Sequence, residues 1–121
     1  MELTHQQNKS SKFIKSYENN TLFIGDKKYA YNIILSEEKI NKWNIQNIEK
    51  IKIADIGLIL LYNPEIIIIG TGQKQYTPSN NFINHIHKKK IGVEFMITES
   101  ACKTFNILLS EGRKVIAGLI I

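Results

Sequence analysis

The sequence contains few residues that cross-link or stiffen a chain: one cysteine and two prolines among 121 residues. Because Cys102 has no second cysteine to pair with, an internal disulfide is excluded, and this composition is typical of reducing compartments. An apolar stretch after Met1 is also missing, so no secretory signal is recognisable. We therefore expect the protein to lie in the cytoplasm.

Long apolar runs are missing as well. The longest candidates are interrupted by Asn63, Pro64 and Glu65, whereas a membrane-spanning helix needs about 18 or more consecutive apolar residues. The sequence therefore predicts a soluble protein that does not span a membrane.

Arginine is nearly absent, although the chain is basic. Fifteen lysines and one arginine give it a net charge of +5. Isoleucine, lysine and asparagine together supply 50 of the 121 residues, which indicates A/T-rich codon usage rather than a nucleic-acid partner. The lysines are scattered, and no face combines basic with aromatic residues. We therefore expect no nucleic-acid binding.

The most informative stretch is a run of four isoleucines at residues 66–69, between Pro64-Glu65 and Gly70-Thr71-Gly72. An uninterrupted β-branched run bounded by turn residues is typical of a strand buried on both faces, as at the centre of a parallel sheet. The run predicts a fully buried strand that lies parallel to a second strand at residues 93–97.

The first half of the chain predicts antiparallel strands. One strand is expected at residues 12–17, and a hairpin joins residues 21–24 to residues 27–35 around Gly25-Asp26, a pair that suits a two-residue turn. Trp43 is placed at residues 42–45 in a further strand or at the end of one. Residues 54–62 fit either a strand or a helix, and a short helix is favoured because Asp55 can cap its start and Pro64 ends it.

The second half alternates helices and strands. A helix is expected from Pro78-Ser79 to about Lys90, with Gly92 as its terminating residue. A second helix at residues 101–110, capped by residues 98–100, leads to a last strand at 114–121. Parallel strands joined by a helix connect with right-handed crossovers. The pattern therefore predicts one α/β domain over residues 12–121, with an N-terminal antiparallel β layer and a flexible tail at residues 1–11.

The predicted topology places a candidate crevice at the carboxyl ends of two neighbouring parallel strands, where open α/β sheets bind ligands. Its expected lining is Gly70, Thr71, Gly72, Thr98, Cys102 and Asn106. Backbone N–H groups of the glycine loop, with Lys74 nearby, could hold a small anion. The favoured alternative is that these glycines only permit a tight exit from the strand. Neither a dinucleotide fingerprint nor a P-loop is present, because Gln75 replaces the third glycine and no Gly-Lys-Ser/Thr follows.

The remaining polar residues do not form a recognisable catalytic or metal-binding arrangement. Cys102 starts a helix, where the dipole lowers a thiol pKa, but no histidine is placed to act as its base, so burial is the favoured interpretation. His85 and His87 are two residues apart and cannot chelate from one helix face. Glu111 and Arg113 are expected to pair at the surface. We predict no catalytic residue, no metal and no cofactor, and we leave enzyme activity open.

Several motifs, in combination and order, resemble the Mth-domain family. They are Pro64-Glu65-Ile66-Ile67-Ile68-Ile69-Gly70-Thr71-Gly72, Gly92-Val93-Glu94-Phe95-Met96, Ala101-Cys102-Lys103-Thr104-Phe105-Asn106-Ile107-Leu108 and Glu111-Gly112-Arg113. The family includes the adipogenesis-associated Mth-domain protein and mitochondrial respiratory complex I assembly factor 3. The resemblance extends over nearly all of residues 12–121.

The resemblance implies a three-layer α/β fold with a mixed central sheet and an extra β layer, and no established enzyme activity or cofactor. It also implies a protein partner, with complex I subunits or assembly factors as candidates. In a bacterial cell such a protein would be cytoplasmic, with peripheral membrane association through its partners. We therefore expect a non-enzymatic interaction protein that assists complex I assembly. The alternative is a small-ligand or anion-binding protein, or an enzyme, that uses the predicted crevice.

Overall fold

In the computed structural model, which describes residues 13–121, eight strands form two sheets and three α-helices pack against the larger one. The strands are β1 (Ile14–Glu18), β2 (Thr21–Ile24), β3 (Lys27–Tyr29), β4 (Ile33–Leu35), β5 (Ile40–Lys42), β6 (Ile66–Gly70), β7 (Gly92–Met96) and β8 (Val115–Leu119). The helices are α1 (Gly57–Leu61), α2 (Asn80–His87) and α3 (Thr98–Ser110), with 3-10 turns at Ile48–Lys50 and Ile53–Ile56. The predicted tail at residues 1–11 lies outside the described residues.

The central sheet has the strand order β5-β4-β8-β6-β7, and β1, β2 and β3 form a separate antiparallel sheet. Strand β6 is parallel to both β7 and β8, whereas β4 is antiparallel to β5 and β8. The central sheet is therefore mixed. The predicted α/β class, with an additional N-terminal β layer, is confirmed.

Strand β6 lies inside the sheet, as its isoleucine run predicts. Ile67, Ile68 and Ile69 are fully buried, and the predicted parallel pairing with β7 is confirmed. The prediction of full burial is wrong for Ile66, which is half-buried. Ile66 lies at the start of the strand opposite Gly92, so its neighbour on β7 has no side chain to cover it.

The two faces of the central sheet carry different layers. Ile68 faces a cluster formed with helix α3 and the outer β1-β2-β3 sheet. Ile67 and Ile69 face the opposite cluster, which contains residues of α1 and α2 together with Trp43. This division follows from the alternation of side chains along a strand. Burial on both sides explains why the run contains no polar residue.

The predicted return strand at residues 27–35 is wrong as one unit. Strand β3 ends at Tyr29, and β4 begins at Ile33 in the other sheet. The chain crosses between the sheets at residues 30–32, where Tyr31 is 46% exposed. Asn32 anchors the crossing because its side-chain oxygen accepts from the backbone N–H of Ile121 at 2.8 Å.

Of the two alternatives predicted for residues 42–45, a strand or the end of one, the second is observed, because β5 ends at Lys42. Trp43 follows it and is almost fully buried. Its indole N–H donates to the backbone oxygen of Asp55 at 2.8 Å. The ring lies against Gly118, where a Cβ atom would come within 2.8 Å of the indole carbon Cζ3. Because Gly118 has no side chain, the indole ring of Trp43 can pack directly against the sheet.

The helix expected at residues 54–62 is confirmed as a 3-10 turn followed by α1. The Asp55 carboxylate caps the turn by accepting from the backbone N–H of Lys52 at 2.8 Å. After α1, Asn63 takes the left-handed conformation with φ of 52°, and Pro64 prevents the helix from continuing. The sequence signals for this short helix therefore act as expected.

The limits of the two longer helices differ from the predicted ones. Ser79 caps α2 by accepting from the backbone N–H of Phe82, as expected. The predicted terminating role of Gly92 is wrong, because Lys90 takes the left-handed conformation with φ of 62° and Gly92 already belongs to β7. Helix α3 begins at Thr98 rather than at residue 101.

Among residues 13–121, no helix combines the length and apolar character needed to cross a bilayer.

Candidate functional site

The candidate crevice lies where the chain leaves β6 and where α3 begins. The backbone N–H of Thr98 donates to the Gly72 carbonyl at 2.9 Å, and the backbone N–H of Gly72 donates to the Thr98 hydroxyl oxygen at 2.8 Å. The same hydroxyl donates to the Ile120 carbonyl at 2.6 Å. Thr98 is fully buried. These bonds connect the end of β6 with the start of α3 and the end of β8. The Gly72 N–H, which an anion would need as a donor, is therefore already hydrogen-bonded within the protein.

The two glycines of the loop serve different needs. At Gly70, a Cβ atom would lie 2.9 Å from the Thr98 hydroxyl oxygen and 3.0 Å from the Leu119 carbon Cδ2, so a side chain there would displace its neighbours. At Gly72, φ is +90°, a conformation that L-residues rarely adopt. The Thr71 hydroxyl donates to the Lys74 carbonyl at 2.6 Å. The loop geometry thus accounts for each residue of Gly70-Thr71-Gly72.

Cys102 lies one helical turn beyond Thr98 and is buried. Burial raises the pKa of the Cys102 thiol to about 12, and the nearby Glu99 carboxylate contributes in the same direction. The helix dipole, which would lower this pKa, is therefore outweighed by removal of the thiol from water. At neutral pH the group is a thiol, which is a poor nucleophile.

Tyr17 of β1 lies close to Cys102 and was not found by sequence reasoning. Its hydroxyl oxygen is buried and has no hydrogen-bond partner within the described part of the chain. Burial raises the pKa of Tyr17, and the Cys102 thiol adds to this increase. The Gln73 side chain opposes it, since it lies near the hydroxyl although the two do not meet the geometry of a hydrogen bond. No local pattern signals this neighbour, because Tyr17 and Cys102 are brought together only when the outer sheet packs on α3.

Asn106 lies two turns beyond Thr98 on α3, away from the strand ends. Its side-chain oxygen accepts from the backbone N–H of Ile14 at 2.8 Å, and its side-chain nitrogen donates to the carbonyl of Ile14 at 2.9 Å. The amide therefore attaches α3 to β1. Of the six predicted site residues, the structure brings Gly70, Thr71, Gly72 and Thr98 into direct contact, with Cys102 one turn beyond them and Asn106 apart.

The two histidines of α2 lie on the protein surface. His85 and His87 are exposed near the end of the helix. Among residues 13–121, no group of three or more His, Cys, Asp and Glu side chains is placed to hold a metal ion.

A second polar site occupies the opposite end of the sheet, and sequence reasoning missed it. The Nε–H of Arg113 donates to the Glu65 carboxylate at 2.8 Å, and the backbone N–H of Lys114 donates to the other Glu65 oxygen at 3.2 Å. These two bonds, the Lys114 bond foremost, lower the pKa of Glu65. The predicted pair of Arg113 with Glu111 is wrong, because the turn at Gly112, with φ of +78°, directs Arg113 toward the start of β6.

Known proteins resemble this chain over almost its whole length. Residues 14–120 match the family described as "Protein of unknown function (DUF498/DUF598)". A Francisella tularensis protein called "13 kDa major membrane protein" is 38% identical over 117 residues, which cover 95% of each chain.

A Xenopus tropicalis protein called "NADH dehydrogenase [ubiquinone] 1 alpha subcomplex assembly factor 3" is 30% identical over 110 residues. The match covers 89% of this chain and 60% of the Xenopus protein, so the chain spans less than two-thirds of that relative's length. A solved structure from Bordetella pertussis, described as a Mth938-like domain, has a TM-score of 0.71 at 22% identity and covers 92% of this chain and 86% of its own. The resemblance inferred from the motifs and the fold that it implies are confirmed.

Proposed function

The chain belongs to the DUF498/DUF598 family, and on that premise we propose that it is a non-enzymatic protein that binds other proteins during assembly of respiratory NADH:ubiquinone oxidoreductase (complex I). The observation that carries this proposal is the 30% identity to a complex I assembly factor over 110 residues. The match covers 89% of this chain and 60% of the assembly factor, so the proposal concerns the part of that protein that this chain matches.

The geometry of the candidate crevice supports action by contact rather than by chemistry. The Gly72 N–H and the Thr98 hydroxyl are bonded to groups of the protein itself. The Cys102 thiol stays protonated at neutral pH because burial raises its pKa to about 12. An acyl or phosphoryl transfer site needs free donors and an activated nucleophile. The described groups are better suited to holding the sheet and helices together.

We place this role in the bacterial cytoplasm, with peripheral association with the membrane through the partner proteins. The name of the Francisella relative, "13 kDa major membrane protein", favours contact with a membrane. A complex I assembly protein would meet partially built enzyme there.

Deletion of the gene in the native organism tests the proposed function. We expect less assembled complex I on a native gel, with unchanged transcripts of its subunits, because the protein acts after synthesis of those subunits. Re-expression of the full chain should restore the complex. A deletion strain with a normal amount of assembled complex I would contradict the proposal.

The second candidate function is a small-ligand site or an enzyme at the crevice, with Gly70, Thr71, Gly72, Thr98 and Cys102 as its lining. The Tyr17 hydroxyl, which is buried and has no hydrogen-bond partner among residues 13–121, favours it, because such a group could bind a ligand atom. Cys102→Ser distinguishes the two candidates in the deletion strain. A protein that works by contact should restore complex I with serine at this position. A folded Cys102→Ser chain that fails to do so would support chemistry at the crevice.

A further inference from the structure

A cavity of about 480 Å³ opens at the end of the sheet opposite to the crevice. It lies between the loop that follows β4 and the turn that precedes β8. These segments meet because β4 and β8 are antiparallel, with Leu35 opposite Ala117. The residues that line the cavity include Glu37, Glu38, Lys39, Tyr62, Arg113 and Lys114. We refer to it as the amino-end cavity.

Arg113 is held in place from outside the cavity. Glu65, which does not line the cavity, accepts the Nε–H of Arg113 and the backbone N–H of Lys114. A guanidinium group has five N–H donors, and within residues 13–121 only the Nε–H is hydrogen-bonded. The four N–H groups on the terminal nitrogens remain for a ligand, and 41% of the side-chain surface is exposed. A guanidinium held in this way can bind a carboxylate through two parallel hydrogen bonds.

The charges around the cavity indicate what kind of ligand it fits. Three cationic residues, Lys39, Arg113 and Lys114, share the lining with two acidic residues, Glu37 and Glu38. A ligand that carries only negative charge would be attracted by the three cations but repelled by the two carboxylates, so part of the attraction would be lost. A ligand that carries a carboxylate beside a cation would find an opposite charge for each group.

The lining of the cavity also includes an aromatic residue, Tyr62. The Tyr62 hydroxyl donates to the side-chain oxygen of Asn41 at 2.9 Å, so the ring is fixed in orientation. Sites that combine a rigid apolar surface with a few placed charges commonly bind side chains and small ligands, and volumes of roughly 300–1,000 Å³ are usual for them. The amino-end cavity is large enough to take several side chains of a peptide.

We propose that the amino-end cavity binds a segment of a partner protein in which an acidic residue lies next to a basic one. The carboxylate of the segment binds Arg113 and Lys114, and its basic side chain binds Glu37 and Glu38. This inference rests on the proposed function, because it assumes that the protein works through a protein partner.

Titration of the isotope-labelled full chain with short synthetic peptides, followed by NMR, tests the inference. One peptide alternates Asp and Lys around a central Leu, and two others of equal length carry only Asp or only Lys. We expect the mixed peptide to shift the amide signals of Lys39, Gly112 and Lys114. Comparable shifts with the all-Asp peptide, or no shifts with the mixed peptide, would overturn the proposal.

Substitutions at the cavity make the test specific. Arg113→Ala should raise the Kd of the mixed peptide about tenfold, the usual effect of losing a charge-assisted hydrogen bond. The matched control is Lys103→Ala, since this lysine lies outside the cavity lining, with its side chain 75% exposed. Thermal unfolding of each variant checks its fold, and Glu37→Gln should weaken binding even if Arg113→Ala is unstable. Equal Kd values for all folded variants would contradict the proposal.

The same variants separate this inference from the proposed function. If Arg113→Ala is folded and restores complex I fully in the deletion strain, the cavity is not the partner site and the inference is wrong, whereas the proposed function stands. If deletion leaves complex I unchanged but the mixed peptide binds through Arg113, the proposed function is wrong and the peptide site stands.

Discussion

At the level of single residues, Thr98 forms hydrogen bonds with polar groups at the predicted crevice. Its one hydroxyl group accepts from the Gly72 N–H and donates to the Ile120 carbonyl. It also lies in the space that a side chain at position 70 would need. Sequence reasoning identified Thr98 through the topology of parallel strands, but the partners of its hydroxyl depend on the end of β8, more than twenty residues away. Local patterns therefore located the residue without giving its role.

Replacement of Thr98 by valine tests this role. Valine keeps the shape of threonine but leaves the Gly72 N–H and the Ile120 carbonyl without this partner. Leaving a buried polar group unpaired costs about 1–3 kcal/mol, so we expect a loss of at least about 2 kcal/mol in the free energy of unfolding measured in urea. Thr104→Val is the matched control, because the Thr104 hydroxyl makes one 3.4 Å contact with the Met96 sulfur. Equal losses for both variants would contradict the structural role of Thr98.

At the same scale, the raised pKa of Cys102 predicts how the stability of the protein depends on pH. The Cys102 pKa is about 12 in the folded protein and about 8.5 in an unfolded chain. Between these values the unfolded chain releases the proton first, so the contribution of Cys102 to stability is complete below about pH 8.5 and is lost as the pH rises toward 12. We expect the wild-type protein to lose stability over this interval more steeply than Cys102→Ser.

The measurement is urea denaturation at a series of pH values, combined with alkylation of the thiol by iodoacetamide. Near pH 8 the folded protein should react more than about a hundredfold more slowly than the protein unfolded in urea, because the thiolate is the reacting form. Rapid alkylation of the folded protein would show that the thiol is neither buried nor protonated.

Strand β6 was the element most fully predicted from the sequence. Its β-branched run between turn residues specifies a strand covered on both faces, and both parallel neighbours are present. The crossing between β3 and β4 was not predicted, because larger apolar residues alternate with smaller or polar ones over residues 28–33, across the point at 30–32 where the sheet changes. The end of α2 was misplaced for a related reason: Lys90 takes a conformation that glycine usually takes.

Ile68→Ala tests the position of β6 in the core. Ile68 is fully buried between the sheet and α3, and truncation of a buried isoleucine costs about 2–5 kcal/mol. We expect a loss in this range by chemical denaturation. Ile107→Ala, on the same helix-covered side of the molecule but at a side chain 57% exposed, should cost less than about 1 kcal/mol. A small loss at Ile68 would place the strand outside the core.

At the scale of the whole molecule, the sheet has two ends with different properties. At the carboxyl ends of β6 and β7, the residues predicted to form a site are hydrogen-bonded to one another. At the amino ends, the structure opens a cavity that contains Arg113 and Lys114. Only the site at the carboxyl ends was predicted from the sequence, because its position follows from the alternation of helices with parallel strands. The cavity at the amino ends depends on pairing between β4 and β8, which joins residues about eighty positions apart and leaves no local pattern.

We propose that this protein acts by binding the proteins of complex I during assembly. This can be tested by affinity purification of the tagged full chain from its native organism, at its native level and in mild detergent. Quantitative mass spectrometry should show complex I subunits enriched over an untagged strain, in a subset rather than in the proportions of the finished enzyme. Recovery of the tagged chain without enrichment of any complex I subunit would contradict the account.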